Sequence, residues 1–581
     1  MRSRRSAKPS KTPVRLVELR VLVGPNIYFT KPAVKLTLAI PGWLEIAERR
    51  VTVFADRLGV RGPGGRPVRS GAARSEERRR FVARLAAQVT RSVARASGSR
   101  LAVRGRVGSE PDQIVVAYPW RRRGAAEALG RAIAPLLRDL LSARRPFRDL
   151  VAITTARLVG AEPGPAARVL EPTIPVVAVT GTNGKTTTVR LLAHLARSAG
   201  KKVAYSSTDG VFLNDRLVAS GDYSGPGGAA KALALNPQVA ILETARGGIL
   251  LRGIGTAHND VAVVTNVQAD HLDLHGVRSL DQLAEVKAAI IRITKPDGWC
   301  VLNADDPRVL AMRRQIRGRP YLFSLDPDHP AIRTALAERG RAISVLDRKL
   351  TLFGPGTTTR SLVRLEDVPV TLAGVSSQHT QNAMAATAAA LGIGLSQRRV
   401  VEGLRSFVPD PERNPGRANV FELKGRVVVI DYAHNEDGMR GLVEICRGLR
   451  APGAEIWIAY SAAGDRTREI RRGMGQAAGR GADHLAIAQL GRYLRGADPK
   501  AVVGDLRRGA VEAGWNPKDI PAFADELRAL EWILQRARPK DVVGIAALAE
   551  RFEIFEVLKR RGARRVGPSR VKQLVRRARG S

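Results

Sequence analysis

Cysteine is almost absent from this sequence, which has only Cys300 and Cys446 among 581 residues. Two cysteines cannot build a disulfide framework or a cysteine-rich zinc site in a chain of this length, so we expect a reducing compartment. Long apolar runs are also missing: no stretch approaches the roughly 18 residues that a transmembrane helix needs. The basic start, MRSRRSAKPSKTPVR, is not followed by the apolar core of a signal peptide. The sequence therefore predicts a cytoplasmic protein without a transmembrane segment.

Acidic residues are scarce at both ends of the chain. Residues 1–170 hold 35 lysines and arginines against 12 aspartates and glutamates, and residues 559–581 hold ten against none. Since the formal net charge is +42, the 388 residues between them contribute only +9. The basic ends attract polyanions, and an acidic polymer, nucleic acid or an anionic membrane would each satisfy them. For the tail, a solvated arginine-rich surface is an equally good explanation.

Breaks rich in proline and glycine divide a chain whose length and 44% apolar content suit several domains. The two linkers are VGAEPGPAARVLEPTIP, near residue 170, and VPDPERNPGR, near residue 410. We therefore predict five segments: a disordered basic arm 1–15, an N-terminal basic α+β domain 16–170, a central domain 171–408, a C-terminal Rossmann-like domain 409–558 and a basic tail 559–581.

The spacing of apolar residues predicts the class of each domain. In residues 16–170, AVKLTLAI, VTVFADRLGV and DQIVVAYPW are typical of strands, and EERRRFVARLAAQVTRSVARA and AEALGRAIAPLLRDLL are typical of helices. In the later domains short apolar strands alternate with helical segments, which is the signature of a parallel α/β sheet. The strands are VVAVTG, KKVAYSST, VAILET, VAVVTN, GWCVLNA and RPYLFSL, then RVVVIDYA, EIWIAYSA, HLAIAQL and DVVGIAAL.

The segment AVTGTNGKTT, which runs from a strand into a helix, is typical of a phosphate-binding loop (P-loop). Gly181 and Gly184 allow backbone amides to turn towards phosphate oxygens. Lys185 supplies a charge to the β- and γ-phosphates, and Thr186 offers a hydroxyl to Mg²⁺. The strict spacing of four residues between glycines is not met, because Val179 stands at the first glycine position.

Two candidate metal ligands lie at the carboxyl ends of predicted parallel strands. Glu243 closes VAILET, and His271 follows VAVVTN. Ligands of open α/β sheets bind at the carboxyl ends of the parallel strands, where these two residues could hold a second divalent cation against the γ-phosphate. Taken singly, Glu243 has a simpler explanation as an ion-pair partner of Arg246, and His271 as a loop histidine. Together with the P-loop they favour the metal site.

Seven segments resemble, in order and spacing, the Mur ligase superfamily: TGTNGKTTT, ETARGGIL, TNVQADHLDLHGVRSLDQLAEVKAAI, VLNADDP, NPGRANVFEL, DYAHNEDG and AAGDRTRE. Within it, STDGVFLNDRLVASGDYSGPGGAA and ARGGILLRGIG resemble the Mur-ligase half of cyanophycin synthetases. The resemblance covers about residues 170–555. Residues 15–150 resemble more weakly the N-terminal domain of that family. Its members carry an ATP-grasp domain between these parts, where this chain has a short linker.

The resemblance implies an ATP-dependent amide ligase that uses Mg²⁺. ATP phosphorylates a carboxylate to an acyl phosphate, and an amine then displaces the phosphate. The implied ATP-binding residues are Gly181, Thr182, Asn183, Gly184, Lys185, Thr186, Thr187, Asn382, Arg417, Asp431 and His434. The implied metal ligands are Thr186, Glu243, His271 and, if carbamylated, Lys287. The implied catalytic residues are Lys185, Lys287, His271 and Arg417.

The implied roles of four of these residues are more specific. Asn382 would contact the adenine side of ATP. Arg417 would reach the γ-phosphate and Asp431 the ribose only after the C-terminal domain closes. A solvated lysine on a helix is the alternative explanation of Lys287.

The substrates are less clearly marked. Residues 489–493 carry no acidic side chain where an incoming arginine would need one. Arg492 and Arg495 suit the carboxylate of an amino acid instead, and the basic N-terminal domain suits an acidic peptide or polymer as acceptor. Two alternatives remain open: a folylpolyglutamate-synthetase-like ligase of a small acid, and a nucleic-acid-associated protein with a degenerate ligase body. Weak nucleic-acid binding through the basic ends and a homo-oligomer are also compatible with the sequence.

Overall fold

A computed structural model describes residues 13–60, 69–142, 145–270, 272–355 and 359–580 of the chain. The chain forms two compact units. The first comprises Met1–Glu171, Arg246–Ala257 and His275–Arg278, and the second comprises Pro172–Ala245, His258–Leu274 and Ser279–Ser581. Most of the predicted basic arm, residues 1–12, lies outside the described residues, and so does His271.

The first unit is an antiparallel sheet with helices packed on it. Its strands are β1 (Arg15–Leu22), β2 (Ala33–Ala39), β3 (Arg104–Val107) and β4 (Gln113–Pro119), and they lie in the order β1-β2-β4-β3. Its helices are α1 (Pro41–Glu45), α2 (Glu48–Arg57), α3 (Glu76–Ala96), α4 (Arg123–Ser142) and α5 (Phe147–Val159). Alternate residues of β2, such as Leu36 and Leu38, share one core with Leu85 of α3 and Leu137 of α4.

The strand predicted for VTVFADRLGV is wrong, because these residues lie largely in helix α2. Val51 and Leu58 are buried seven residues apart, and Phe54 packs beside them with its ring 5.4 Å from that of Trp43. Val53, between them, is 48% exposed. This spacing is that of one helix face, and packing against Trp43 overrides the β-propensity of valine, threonine and phenylalanine.

The second unit contains two α/β sheets. In the larger, the order is β15-β14-β13-β12-β11-β10-β5-β9-β6-β7-β8, and the run from β13 to β6 is parallel. Its strands are β5 (Val176–Thr180), β6 (Val203–Ser207), β7 (Gly210–Leu213), β8 (Arg216–Ser220), β9 (Val239–Glu243), β10 (Asn259–Val264), β11 (Thr294–Asn303), β12 (Arg319–Ser324), β13 (Arg341–Leu346), β14 (Lys349–Phe353) and β15 (Thr359–Arg364). The smaller sheet has the order β20-β19-β18-β21-β17-β16-β22. Its strands are β16 (Asn419–Leu423), β17 (Arg426–Asp431), β18 (Ile456–Tyr460), β19 (His484–Ala488), β20 (Ala522–Phe523), β21 (Val542–Ala546) and β22 (Arg564–Arg565).

Helices connect these strands, as the alternating pattern predicts for a parallel sheet, and the predicted α/β class is confirmed. They are α6 (Lys185–Ser198), α7 (Pro226–Leu233), α8 (Arg246–Leu251, in the first unit), α9 (Leu280–Lys287), α10 (Pro307–Ala311), α11 (Pro330–Ala337), α12 (Ser377–Gly392), α13 (Gln397–Ser406), α14 (Glu436–Leu449), α15 (Arg468–Gly479), α16 (Pro499–Glu512), α17 (Glu526–Arg536), α18 (Arg551–Arg560) and α19 (Pro568–Ala578). None of the helices in the described residues combines the length and apolarity needed to cross a membrane.

The basic end of the chain is folded. β22 pairs with β16, and α19 buries Val571, Leu574 and Val575 in the core of the smaller sheet. Its charges meet acidic partners: Lys572 lies 2.7 Å from Asp367, and Arg570 lies 2.7 Å from Glu422. Residues 564–578 are therefore part of the second unit's structure.

Candidate active site

The glycines of the loop between β5 and α6 are required by close contacts. Gly184 has φ +83°, and a Cβ atom there would lie 2.1 Å from Oδ1 of Asn382. At Gly181, φ is +155° and a Cβ atom would lie 1.8 Å from Oγ1 of Thr265. Any larger residue at either position would both strain the backbone and displace a buried neighbour.

The shape of the loop is set by Asn266, which sequence reasoning missed. Its Oδ1 accepts hydrogen bonds from the amides of Thr182 and Asn183, at 3.0 and 2.8 Å. Thr265 donates to the carbonyl of Asn183 at 2.6 Å. Asn266 follows β10, the strand beside β5, and its position at a strand's carboxyl end was the available signal.

The start of α6 provides donors for an anion. The first intrahelical bond of the helix runs from the amide of Thr188 to the carbonyl of Gly184, at 2.9 Å. The amides of Lys185, Thr186 and Thr187 precede it and therefore have no acceptor within the helix. With the helix dipole they form the kind of terminus that binds phosphate. The Nζ atom of Lys185 folds back to the carbonyl of Thr182 at 2.9 Å.

Glu243 lies beside the helix start and is only 1% exposed. Its Oε2 accepts a hydrogen bond of 2.9 Å from the hydroxyl of Thr186, whereas Oε1 is buried with no hydrogen-bond partner among the described residues. Burial raises the pKa of Glu243, and the charge of Lys185 and the Thr186 hydrogen bond oppose this shift only partly. A buried carboxylate with one oxygen that has no hydrogen-bond partner among the described residues fits Mg²⁺, which prefers oxygen ligands.

The described residues contain no group of three or more histidine, cysteine, aspartate and glutamate side chains placed to hold a metal. In nucleotide enzymes Mg²⁺ is usually bound by one or two carboxylates together with the substrate's phosphates. The predicted ligand His271 lies outside the described residues.

Two further predicted residues are buried. Lys287 ends α9 and is 3% exposed, which excludes the solvated helix lysine considered from the sequence. Burying a lysine is costly unless it is paired or modified. Asn382, in α12, is 5% exposed, and its Oδ1 lies 3.4 Å from the hydroxyl of Thr188 in the loop's helix.

The smaller sheet supplies an arginine and a carboxylate. The guanidinium of Arg417 lies over the ring of Tyr432, 4.3 Å from its centroid, and it forms no ion pair with a described residue. Oδ2 of Asp431 accepts the amide of Ala418 at 2.8 Å. Burial raises the pKa of Asp431 to about 6, against the lowering effect of Arg417. Arg417 is thus a half-buried cation available to an anion.

The part of the second unit that holds the smaller sheet touches the P-loop directly. The side chains of Asn183 and Asn435 exchange two hydrogen bonds, at 3.0 and 2.9 Å. Asp270, which follows β10, lies 2.9 Å from Nε of Arg466 and 3.5 Å from Nε2 of the predicted residue His434. Sequence reasoning missed Asn435 and Asp270, since their partners are distant in the chain.

The two arginines predicted to bind substrate already have partners. Arg495 pairs with Asp465, and Nη2 of Arg492 lies 3.5 Å from Glu553. Both arginine side chains are mostly exposed. In this arrangement they are ion-paired within the smaller sheet's domain.

The geometry is that of the nucleotide site of a P-loop enzyme. Two family models match the chain: the Mur ligase middle domain over residues 179–390, and the Mur ligase, glutamate ligase domain over residues 416–547. A UDP-N-acetylmuramoyl-L-alanyl-D-glutamate–2,6-diaminopimelate ligase of Alkalilimnicola ehrlichii is 30% identical over 454 residues, which cover 76% of this chain and 80% of the relative. The chain belongs to the Mur ligase family, as the sequence motifs predict.

Cyanophycin synthetases are more similar still in the matched region. The enzyme of Geminocystis herdmanii is 37% identical over 391 residues, 66% of this chain and 44% of that protein, so the chain spans less than half of that relative's length. The solved structure of E. coli FolC in complex with DHPP and ADP shares the fold, with a TM-score of 0.50 and 21% identity, over 68% of this chain and 90% of that one.

Proposed function

We propose that this protein joins the amine of an amino acid, or another amine, to a carboxylate of an acidic peptide or polymer. The observation that carries the proposal is a set of three groups at the P-loop. They are Lys185, the amides at the start of α6, which have no acceptor within the helix, and Oε1 of Glu243, which has no hydrogen-bond partner among the described residues. The similarity to cyanophycin synthetases supports a polymeric acceptor. The excess of basic residues in 1–170 supports an acidic acceptor, because positive charge attracts acidic molecules.

In the first step an oxygen of the acceptor carboxylate attacks the γ-phosphorus of ATP. An oxygen–phosphorus bond forms, the bond from that phosphorus to the β-bridging oxygen breaks, and ADP leaves. Lys185 and the helix amides neutralise the phosphate charge that otherwise repels the carboxylate. Arg417, which has no ion pair among the described residues, reaches the γ-phosphate. Mg²⁺ held by Thr186 and Glu243 would neutralise the remaining phosphate charge.

In the second step the amine nitrogen attacks the acyl carbon. The carbon–nitrogen bond forms, phosphate leaves with the former acyl-phosphate oxygen, and the nitrogen loses a proton. We assign Arg492 and Arg495 to the carboxylate of an incoming amino acid, for which they would exchange their present partners. This assignment is consistent with the absence of acidic side chains in residues 489–493.

The remaining ATP contacts are assigned by position. Thr182, Asn183 and Thr187 belong to the P-loop and its helix, and Asn382 borders the loop through its contact with Thr188. Asp431 binds a ribose hydroxyl, with His434 nearby. Lys287 is proposed to be carbamylated, and His271 to bind a second cation with Glu243. The proposal places the enzyme in the cytoplasm, where ATP is available and its two buried cysteines stay reduced.

The test is a matrix of acceptors and amines assayed for ADP release. Purified protein with Mg²⁺ and ATP is given polyaspartate, polyglutamate or small dicarboxylates, each with a panel of amino acids, and products are identified by mass. We expect repeated turnovers of ADP release only when a polymeric acid and an amine are both present, because the amine is needed to remove the acyl phosphate formed in the first step. Lys185→Ala should abolish it, while the matched control Lys201→Ala, an exposed lysine beyond the same helix, should not. Turnover with a small acid and an amine, but not with a polymeric acid, would favour the folylpolyglutamate-type alternative. Salt-dependent nucleic-acid binding without ADP release would favour the binding protein.

A further inference from the structure

Asp209 joins two arginines that come from different parts of the second unit. It lies in the turn between β6 and β7, and its side chain is 15% exposed. Oδ2 accepts a hydrogen bond of 3.0 Å from Nη2 of Arg190, and Oδ1 accepts one of 2.6 Å from Nη2 of Arg551. Arg190 belongs to the P-loop helix α6, whereas Arg551 begins α18 beside the smaller sheet. We call the predicted central domain, residues 171–408, the P-loop domain. Asp209 therefore links the P-loop domain to the C-terminal domain, residues 409–558, by a buried ion pair.

The same arginines reach the linker and the ring that supports Arg417. Nη1 of Arg190 donates to the carbonyl of Arg413 at 2.9 Å, in the segment that joins the two domains. The guanidinium of Arg551 lies 5.8 Å from the ring centroid of Tyr432, on which Arg417 is stacked. The Cδ atom of Arg551 would also lie 3.2 Å from a Cβ atom at position 416, next to Arg417. Arg551 and Arg417 thus share one aromatic support.

We propose that Asp209 and Arg551 form an interdomain clasp that positions Arg417 at the γ-phosphate when the C-terminal domain is closed, an inference that rests on the proposed function. The clasp residues are positioning residues, since neither needs to touch ATP. Although burial favours its protonated form, the pKa of Asp209 is lowered by Arg551, Arg190 and Arg417, so the carboxylate stays charged. Breaking a buried pair by removing one partner is strongly unfavourable, and here it would favour the open arrangement.

The first test separates positioning from nucleotide binding. Asp209→Asn keeps the size of the side chain and removes its charge. We expect kcat for ADP release to fall at least about tenfold, while the Kd of ATP, measured by calorimetry without acceptor, changes less than about threefold. Arg551→Ala should behave in the same way, and Arg551→Lys, which keeps the charge, should recover part of the loss. A merely structural role would lower thermal stability without this split between kcat and Kd.

The second test asks whether the two residues act together. The double variant Asp209→Asn with Arg551→Ala should be no slower than the slower of the two single variants, because the ion pair between Asp209 and Arg551 is lost in all three. In small-angle scattering with a non-hydrolysable ATP analogue and Mg²⁺, the variants should show a larger radius of gyration than the wild type. The matched control is Asp260→Asn, because Asp260 pairs with Lys295 at 2.7 Å inside the P-loop domain alone.

The outcomes distinguish this inference from the proposed function. If the wild type neither retains ATP nor releases ADP with any acceptor and amine, the proposed function fails. If the wild type turns over and Asp209→Asn matches it in kcat and in scattering, the clasp is wrong and the ligase assignment stands. Additive losses in the double variant would likewise contradict the clasp.

Discussion

The hydroxyl of Thr186 donates a 2.9 Å hydrogen bond to one oxygen of Glu243, and the other oxygen of that buried carboxylate has no hydrogen-bond partner among the described residues. Such a carboxylate costs stability unless a cation joins it. Glu243→Gln removes the charge with little change in size. We expect ADP release to fall by about 10²-fold or more, measured at saturating ATP across a series of Mg²⁺ concentrations.

The same substitution should stabilise the protein when Mg²⁺ is absent. Burial raises the folded pKa of Glu243 above its ordinary value of 4.5, so the folded state binds the proton more tightly than the unfolded state does. Stability therefore falls as pH rises through the folded pKa, and the cost disappears below 4.5. In EDTA, Glu243→Gln should unfold at a higher temperature than the wild type at pH 8, with a smaller difference at pH 5. Equal melting temperatures at pH 8 would contradict the buried charge.

Gly184 and Gly200 make a matched pair at the two ends of α6. Both have positive φ, +83° and +81°, but a Cβ atom would meet Asn382 at Gly184 and nothing within 4 Å at Gly200. Gly200→Ala should cost about 1 kcal/mol of unfolding free energy from backbone strain alone. Gly184→Ala should cost more and should also weaken ATP binding, as measured by calorimetry. If the Gly184→Ala variant bound ATP as tightly as the wild type does, the loop would not be part of the ATP site.

The parts of the fold that are local in sequence were predictable. Strand β5 is buried along its whole length, so its apolar run indicated a parallel strand, and the residues that follow gave the P-loop. The site's long-range partners were not predictable in this way. Asp209 and Arg551 are 342 residues apart, and Asn183 and Asn435 are 252 apart, so only the packing of the two domains brings them together. The strand prediction for the residues of helix α2 was wrong for the same reason, because the apolar face of this helix is defined by its contact with Trp43.

The raised pKa of Asp431 predicts a pH dependence of ATP binding. Burial shifts the pKa of Asp431 from 3.8 to about 6, so between pH 3.8 and about 6 this carboxyl group is mainly protonated in the folded protein. A ribose hydroxyl is bound better by the carboxylate. The association constant of ATP should therefore fall by up to about tenfold per pH unit below about 6.

Asp431→Asn is the control for the pH profile, because phosphate groups of ATP titrate in the same region. The ratio of wild-type to variant affinity should decrease as pH falls from 8 to 5. At pH 8 the variant should bind ATP about 10- to 100-fold more weakly, the usual value of a hydrogen bond to a charged group. A ratio independent of pH would show that Asp431 does not bind the nucleotide.

The burial of Lys287 bears on its proposed carbamylation. A neutral amine that adds CO₂ and loses a proton becomes a carboxylate, which suits a metal site better than a buried ammonium does. Protein equilibrated with ¹³C-bicarbonate should show a carbamate carbon resonance that is absent from Lys287→Ala. Activity of the wild type should rise on addition of bicarbonate after CO₂ depletion. Full activity of Lys287→Arg, which cannot form this carbamate, would contradict the role.

The folding of the basic C-terminal residues gives a prediction about stability rather than binding. Leu574 of α19 is buried at 5% exposure in the core of the smaller sheet, between Val571 and Val575. Leu574→Ala should lower the unfolding free energy by about 2–4 kcal/mol, since it deletes buried methyl groups and leaves a cavity. Arg577→Ala, an exposed residue of the same helix, should change it by less than about 0.5 kcal/mol. If denaturant titration found Leu574→Ala as stable as Arg577→Ala, helix α19 would not be docked, and the ten charges from Lys559 onward would be free to act as a binding tail.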